Sequence, residues 1–377
     1  MHKRSSAILR ATLLAVIVGI ATPGLAAPPE GKGGGKDKGS ASPVISVEWR
    51  RDVWQAPEIR TIDENGDNMS TVTSDPDLKR GGWPRWSPDG LRLGGYYKWI
   101  GDEYDYGLMS IAADGTDEQL IVLSSELGQF SLNRGLSAEH SDLGLAAWSP
   151  DGQSMVFSGR VTYPKELFDP QPAYDVLVLR LFTASAGFII PVTEVPDATT
   201  VSGTDPTSIQ FGDWHPHWSS SLNRIVFVSS RSGSLELWAI DPDGTNLQQL
   251  TDFGSARLYE PVWSHVGDRI AVRVNLEAAP SSSGDIWVLN VNDGLPVTIT
   301  SPSIVIVRND PLMLEEAPAW SPLDDQLVFA RSGGHNSRTR RYEIVIVDLS
   351  TDSETVIADS KKQAIFWPDW NPASPVP

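Results

Sequence analysis

The sequence predicts an all-β chain, folded as a six-bladed β-propeller of four-stranded antiparallel blades. Three observations predict it. One short motif, Trp-Ser-Pro-Asp-Gly, is rewritten along the chain. Each stretch between two copies holds three strand-like runs joined by tight turns. The chain also starts and stops part-way through this plan, as a ring does when its N-terminal strands pair with its C-terminal strand.

The motif stands in full at Trp86-Ser87-Pro88-Asp89-Gly90 and Trp148-Ser149-Pro150-Asp151-Gly152. Looser copies begin at Trp218, Trp263 and Trp320, and a truncated one, Trp370-Asn371-Pro372, lies near the C-terminus. The four residues after Trp form a turn: Pro presets φ, Asp caps the chain, and Gly takes a positive φ. A large aromatic at the same place in every repeat is expected to pack between neighbouring sheets.

After Trp218 the plan is plainest. Arg224–Ser229 alternates as a strand, Leu235–Ile240 is the next, Asp241-Pro242-Asp243-Gly244 turns, and Leu247–Leu250 closes the blade. That spacing is an antiparallel meander. The corresponding strands are Leu91–Tyr97, Tyr106–Ala112 and Gln119–Leu123 after Trp86; Ser154–Ser158, Tyr174–Phe182 and Phe188–Val192 after Trp148. They are Arg269–Val274, Asp285–Leu289 and Pro296–Ile299 after Trp263; Gln326–Ala330, Tyr342–Val347 and Glu354–Ile357 after Trp320. Too few residues follow Trp370 for three more strands, but Val44–Glu48, Glu58–Ile62 and Met69–Thr73 supply three strands at the other end. One blade is therefore shared between the termini, which removes exposed sheet edges. No 3.6-residue apolar period is evident in the mature chain.

Residues 1–26 read as a secretory signal peptide. Lys3, Arg4 and Arg10 precede an apolar run from Ala11 to Ile20, and Gly24 and Ala26 mark a cleavage site. The run is about half the length a membrane span needs, so no membrane insertion is expected after cleavage. Residues 27–43, rich in Gly, Lys and Pro, read as a flexible linker, and 44–377 as the propeller. A periplasmic or secreted protein follows. The net charge is −18, and residues 1–38 hold six basic side chains against two acidic ones, so the body is more acidic still. That argues against nucleic acid and anionic lipid as partners. With no cysteine, disulfides and thiol chemistry are excluded.

Trp-Ser-Pro-Asp-Gly, then a strand, an Arg-Gly turn, an Asp/Asn-Gly turn and a short strand, resembles the WD40-like PD40 repeat of the TolB family propeller. The resemblance covers about residues 44–372 and implies a six-bladed propeller, in a family whose namesake is a periplasmic component of the Tol–Pal system. TolB proteins of that system carry an N-terminal α/β domain, where this sequence shows a linker. The resemblance therefore implies the propeller and not the Tol–Pal role.

A basic residue recurs ten to thirteen positions after each of the first five motif tryptophans, at Lys98, Arg160, Arg231, Arg273 and Arg331, which points to a structural ion pair or a backbone clamp. Function is expected where the repeat breaks. The residue three before each motif Trp reads Trp83, Leu145, His215, Glu260, Ala317 and Trp367. These positions are expected ahead of the first strand of each blade, at the channel mouth. The ligand-binding residues expected there are Trp83, His215, Glu260, Glu316 and Trp367. Insertions at Ser124–Leu145, Val161–Ala173, Glu194–Gly212 and Ser332–Arg341 also break the plan.

In Asp213-Trp214-His215-Pro216-His217-Trp218, an extended strand turns both histidines to one side. With Asp213 and Glu260 they would supply imidazole and carboxylate ligands to a divalent metal. The favoured reading is a histidine pair in a tryptophan-rich strand, with no cofactor. There is no Gly-x-Ser-x-Gly elbow and no nucleophile signature. The expectation is a monomeric, non-enzymatic binding or scaffold protein with a protein or peptide partner. Its rival is a metal-assisted hydrolase or lyase with its site on the same rim.

Overall fold

A computed structural model of the chain describes residues 44–373, apart from 52–55, 76, 78–82, 101–104, 138–142, 186–187, 205–211, 277–283, 293–294, 302–303, 308–312, 334–340 and 362. The signal peptide, the linker and most of the Ser332–Arg341 insertion lie outside the described residues. Among the described residues no helix is long and apolar enough to cross a membrane.

Six four-stranded antiparallel sheets form the blades of a propeller. Blade 1 joins the two ends of the chain: Ala364–Trp370 is innermost, followed by Val44–Arg50, Glu58–Asp63 and Ser70–Thr73. Ile45 pairs with Trp370 and Arg50 with Ala364, so the ring closes across the predicted seam. The innermost strands of blades 2 to 6 are Arg85–Trp86, Leu143–Trp148, Asp213–Trp218, Arg257–Trp263 and Met313–Trp320. All six innermost strands end on a motif tryptophan.

The turns after these tryptophans have the chemistry their sequence calls for. Ser87 Oγ donates to Asp89 Oδ1 at 2.6 Å and accepts from the Arg92 N–H, while Gly90 takes φ +68°. Ser149, Asp151 and Gly152 repeat this, with φ +67° at the glycine. In blade 6 the same left-handed position falls to Asp324, at φ +58°.

Apolar packing is divided among the blade interfaces, one cluster to each, and each contains one motif tryptophan. Trp86 packs with Ile59 of blade 1, Trp148 with Leu108 of blade 2, and Trp218 lies against Leu181 of blade 3. Trp263 joins Val228 of blade 4, Trp320 joins Ile286 of blade 5, and Trp370 joins Val328 of blade 6. Two of these indoles also reach back to the preceding blade by hydrogen bonds: Trp148 Nε1 to the Arg85 carbonyl at 3.0 Å and Trp320 Nε1 to the Val262 carbonyl at 3.2 Å. The tryptophans are thus the side chains that join one sheet to the next, as the repeat implied.

Two details depart from the sequence reading. A helix, Ser124–Leu132, occupies the first insertion. Glu126 accepts from the Leu123 N–H, Ser124 and Ser125 hold Asp105, and Leu127 is driven into the interface of blades 2 and 3. Its apolar stripe is too short to show as a period. The fourth strand of blade 5 is Ile304–Ile306, not the predicted 296–299. Val297–Thr298 instead pairs in parallel with Thr251–Asp252, linking blades 4 and 5.

Candidate functional site

Five of the six residues three before each tryptophan lie within the innermost strands, at breaks in the ladder, while Trp83 stands ahead of Arg85–Trp86. The register shifts between Trp214 and His217, Tyr259 and Val262, Glu316 and Ala319, and Leu143 and Ala146. In blade 1 the shift lies opposite Trp367 and Pro368. His215, Glu260, Ala317 and Trp367 all take a left-handed φ, between +50° and +55°. Each is followed by a proline, which has no N–H to leave unpaired inside a bulge. Blade 2 puts the irregularity on the partner strand: the Trp83 N–H bonds the carbonyl of Gly95, itself at φ +86°.

A bulge re-aims its side chain, and here it aims several of them round the ring. His215 Nδ1 accepts from the Glu260 N–H at 3.2 Å, one blade on. The Oε2 atom of Glu260 in turn accepts from the Ala317 N–H at 2.8 Å. Asp369 repeats the device across the seam, accepting from the Trp86 N–H at 2.7 Å and from Arg85 Nη1 at 3.0 Å. His217 Nδ1 accepts from the Trp263 N–H at 3.2 Å. Both histidines accept from the backbone of blade 5, three residues apart, but the bulge at His215 replaces the extended strand that the spacing assumed, and the two rings line different cavities.

The other expected site residues are joined in pairs. Trp83 and Trp367 meet edge to face at 5.2 Å. Arg273 lies 3.4 Å from both Glu260 and Glu316 and stacks over Tyr259. Lys98, Arg231 and Arg331 also form ion pairs, so the recurring basic residue is structural at these positions as at Arg273. Asp213, fully buried, is held by Arg231 at 2.6 Å and by Ser229 at 2.7 Å. Among the described residues no group of three or more His, Asp or Glu side chains is placed to hold a metal ion.

Burial governs protonation at this site. It pushes the His215 pKa down to about 4, against the opposing charge of Glu260. His217 falls to about 3 through burial, then through the positive charges of Arg85 and His265. Both rings are therefore neutral at pH 7. With Nδ1 accepting from the backbone, each carries its proton on Nε2.

Two cavities lie along the innermost strands. One, of about 330 Å³, is walled by Trp83, Leu145 and His215, with Tyr106, Trp214 and Arg160 around them. Three of the six non-repeating positions thus converge, while Glu260, Glu316 and Trp367 stand outside the cavity wall. The second, of about 280 Å³, lies further along the same strands. All six motif tryptophans line it, together with the residue before each: Arg85, Ala147, His217, Val262, Ala319 and Asp369. Sequence reasoning missed this second ring of residues, though it too fails to repeat.

No protein-family model matches the chain, and no curated protein matches it. Solved structures do. TolB from Acinetobacter baumannii aligns with a TM-score of 0.60 at 17% identity, over 87% of this chain and 66% of that one. A putative TolB from Agrobacterium tumefaciens aligns at 0.52 and 15% identity, over 88% and 99% of the two chains. The chain is a TolB-like propeller. A chain of a nidogen/laminin complex aligns with this TolB-like ring at 0.51 and 9% identity, over 88% and 99%. Likeness at such identities carries the fold and nothing of function.

Proposed function

We propose that this propeller is an exported, non-enzymatic binding module that engages an extended segment of a protein partner over its channel. The observation that carries the reading is the cavity walled by Trp83, Leu145 and His215. Three positions that differ among the repeats are brought there to one concavity, lined by aromatic and aliphatic side chains with a few polar groups. That is the composition of a recognition pocket for an apolar anchor side chain. Trp367 braces Trp83 edge to face from the neighbouring blade, and His215 is held by the Glu260 N–H. Such a rim suits a segment that inserts an apolar anchor. The acidic composition of the chain supports a protein partner over nucleic acid or an anionic bilayer.

The test is capture from a periplasmic extract of the native host by the wild-type protein and by Trp83→Ala. The variant's unfolding midpoint is measured in parallel. Loss of the captured protein with folding intact is expected. Equal capture by both would place the partner elsewhere.

A further inference from the structure

The chamber enclosed by the motif tryptophans is separate from the cavity at Trp83, and its chemistry differs. Three of its ring positions, Ala147, Val262 and Ala319, are apolar. The other three are polar. Arg85 and Asp369 form an ion pair at 3.0 Å, and His217 belongs to blade 4, across the ring from that pair. His265 stands at the edge, bound through Nδ1 to Asp324 at 2.8 Å.

Each of these groups keeps hydrogen-bonding capacity turned to the chamber. The Arg85 side chain is 13% exposed, and among the described residues only Asp369 accepts from it. A guanidinium has five N–H groups, so several donors remain. Asp369 receives one bond on each oxygen, which leaves lone pairs on both. His217, accepting at Nδ1, presents Nε2–H.

The charges are already balanced within the wall. Arg85 is offset by Asp369, and the His217 ring is neutral. A charged guest would be buried with no counter-ion of its own, which is costly. A guest with both a donor and an acceptor meets Asp369 on one side and Arg85 or His217 on the other. We propose that this chamber is a second binding site, specific for a small neutral group that carries a donor and an acceptor on an apolar stem, as a primary carboxamide does. Its C=O accepts from Arg85 or His217 Nε2–H, its NH₂ donates to Asp369, and its stem lies against Ala147, Val262 and Ala319.

The experiment compares three probes of nearly equal size on the full-length protein: propionamide, propionate and propylammonium. Binding is read by saturation-transfer NMR on the probe and by shifts of the tryptophan indole N–H resonances. The expected result is that propionamide binds about tenfold more tightly than either ion, the loss of one hydrogen bond or the burial of one unpaired charge being worth that much. Arg85→Met should weaken propionamide by about tenfold, while Trp83→Ala leaves it unchanged. If Arg85→Met does not fold, Ala147→Val, which narrows the chamber without removing a polar group, should weaken it similarly. Absence of propionamide binding, binding of an ion as tight as the amide, or propionamide binding untouched by the chamber variant that folds would each overturn the proposal.

Discussion

The carboxylate of Glu260 accepts a hydrogen bond from the backbone N–H of Ala317, 2.8 Å away in the next blade. Ala317 is fully buried, so this N–H has no water to turn to. A residue whose side chain looks like a ligand-binding carboxylate is thus also a bond between blades. Glu260→Ala should destabilise the fold by about 1–3 kcal/mol, the cost of an orphaned buried donor. Glu260→Gln, which keeps an acceptor, should cost less. Urea unfolding of the two variants separates them.

The seam depends on Trp370, which is 3% exposed and packs with Val328 and Ile365. Trp370→Ala should cost about 3–5 kcal/mol. A chain cut before Ala364 loses the innermost strand of blade 1 and bares an edge of Val44–Arg50. Size-exclusion chromatography of that truncation should show higher oligomers or aggregate.

His215 and His217 set a dependence on acid. Their folded pKa values, about 4 and about 3, lie below the ordinary histidine value near 6.5. The unfolded chain therefore binds more protons between pH 6.5 and 4, and stability rises with pH there. The contribution is complete above pH 6.5 and lost as pH falls through 4. His217→Asn should flatten the slope of stability against pH in that window, measured by chemical unfolding at a series of pH values.

Glu48 works in the opposite direction. Burial raises its pKa to about 7, even with Arg50 Nε bonded to it at 2.5 Å. The folded state then holds the extra proton between pH 4.5 and 7, so the group's contribution is full below 4.5 and falls as pH rises through 7. Glu48→Gln removes that loss. Relative to wild type, its stability should gain on going from pH 5 to pH 8, by up to about 3 kcal/mol. An equal difference at both pH values would contradict the assignment.

The ring was legible because its parts are repeated. Six tryptophans and their turns set the blade count, and the strands left over at Val44 and Ala364 set the seam. Trp86 and Trp370 were read as packing between sheets, and they do. The site was less legible because a bulge changes direction without changing composition. His215, Glu260 and Trp367 look like residues ahead of a strand, but their left-handed φ places them inside one. The signal was present in the prolines that follow them, Pro216, Pro261 and Pro368, which interrupt a ladder from within. Arg85, His217 and Asp369 went unremarked as a ring because one residue of spacing separates a side chain in an interface from one in the channel, and spacing alone does not say which is which. The helix at Ser124 forms through Asp105 and Glu126, contacts that are specific to this insertion.

The reading of the propeller as a binding module rests on the cavity at Trp83, and crosslinking in the native host tests it most directly. Trp83 is replaced by the photoreactive p-benzoylphenylalanine, and Tyr174, which is 83% exposed on the connection leading into the third strand of blade 3, is replaced in the same way as a control. Irradiation should join one cellular protein to position 83 and none to position 174. A crosslink from position 174 with none from position 83 would contradict the account.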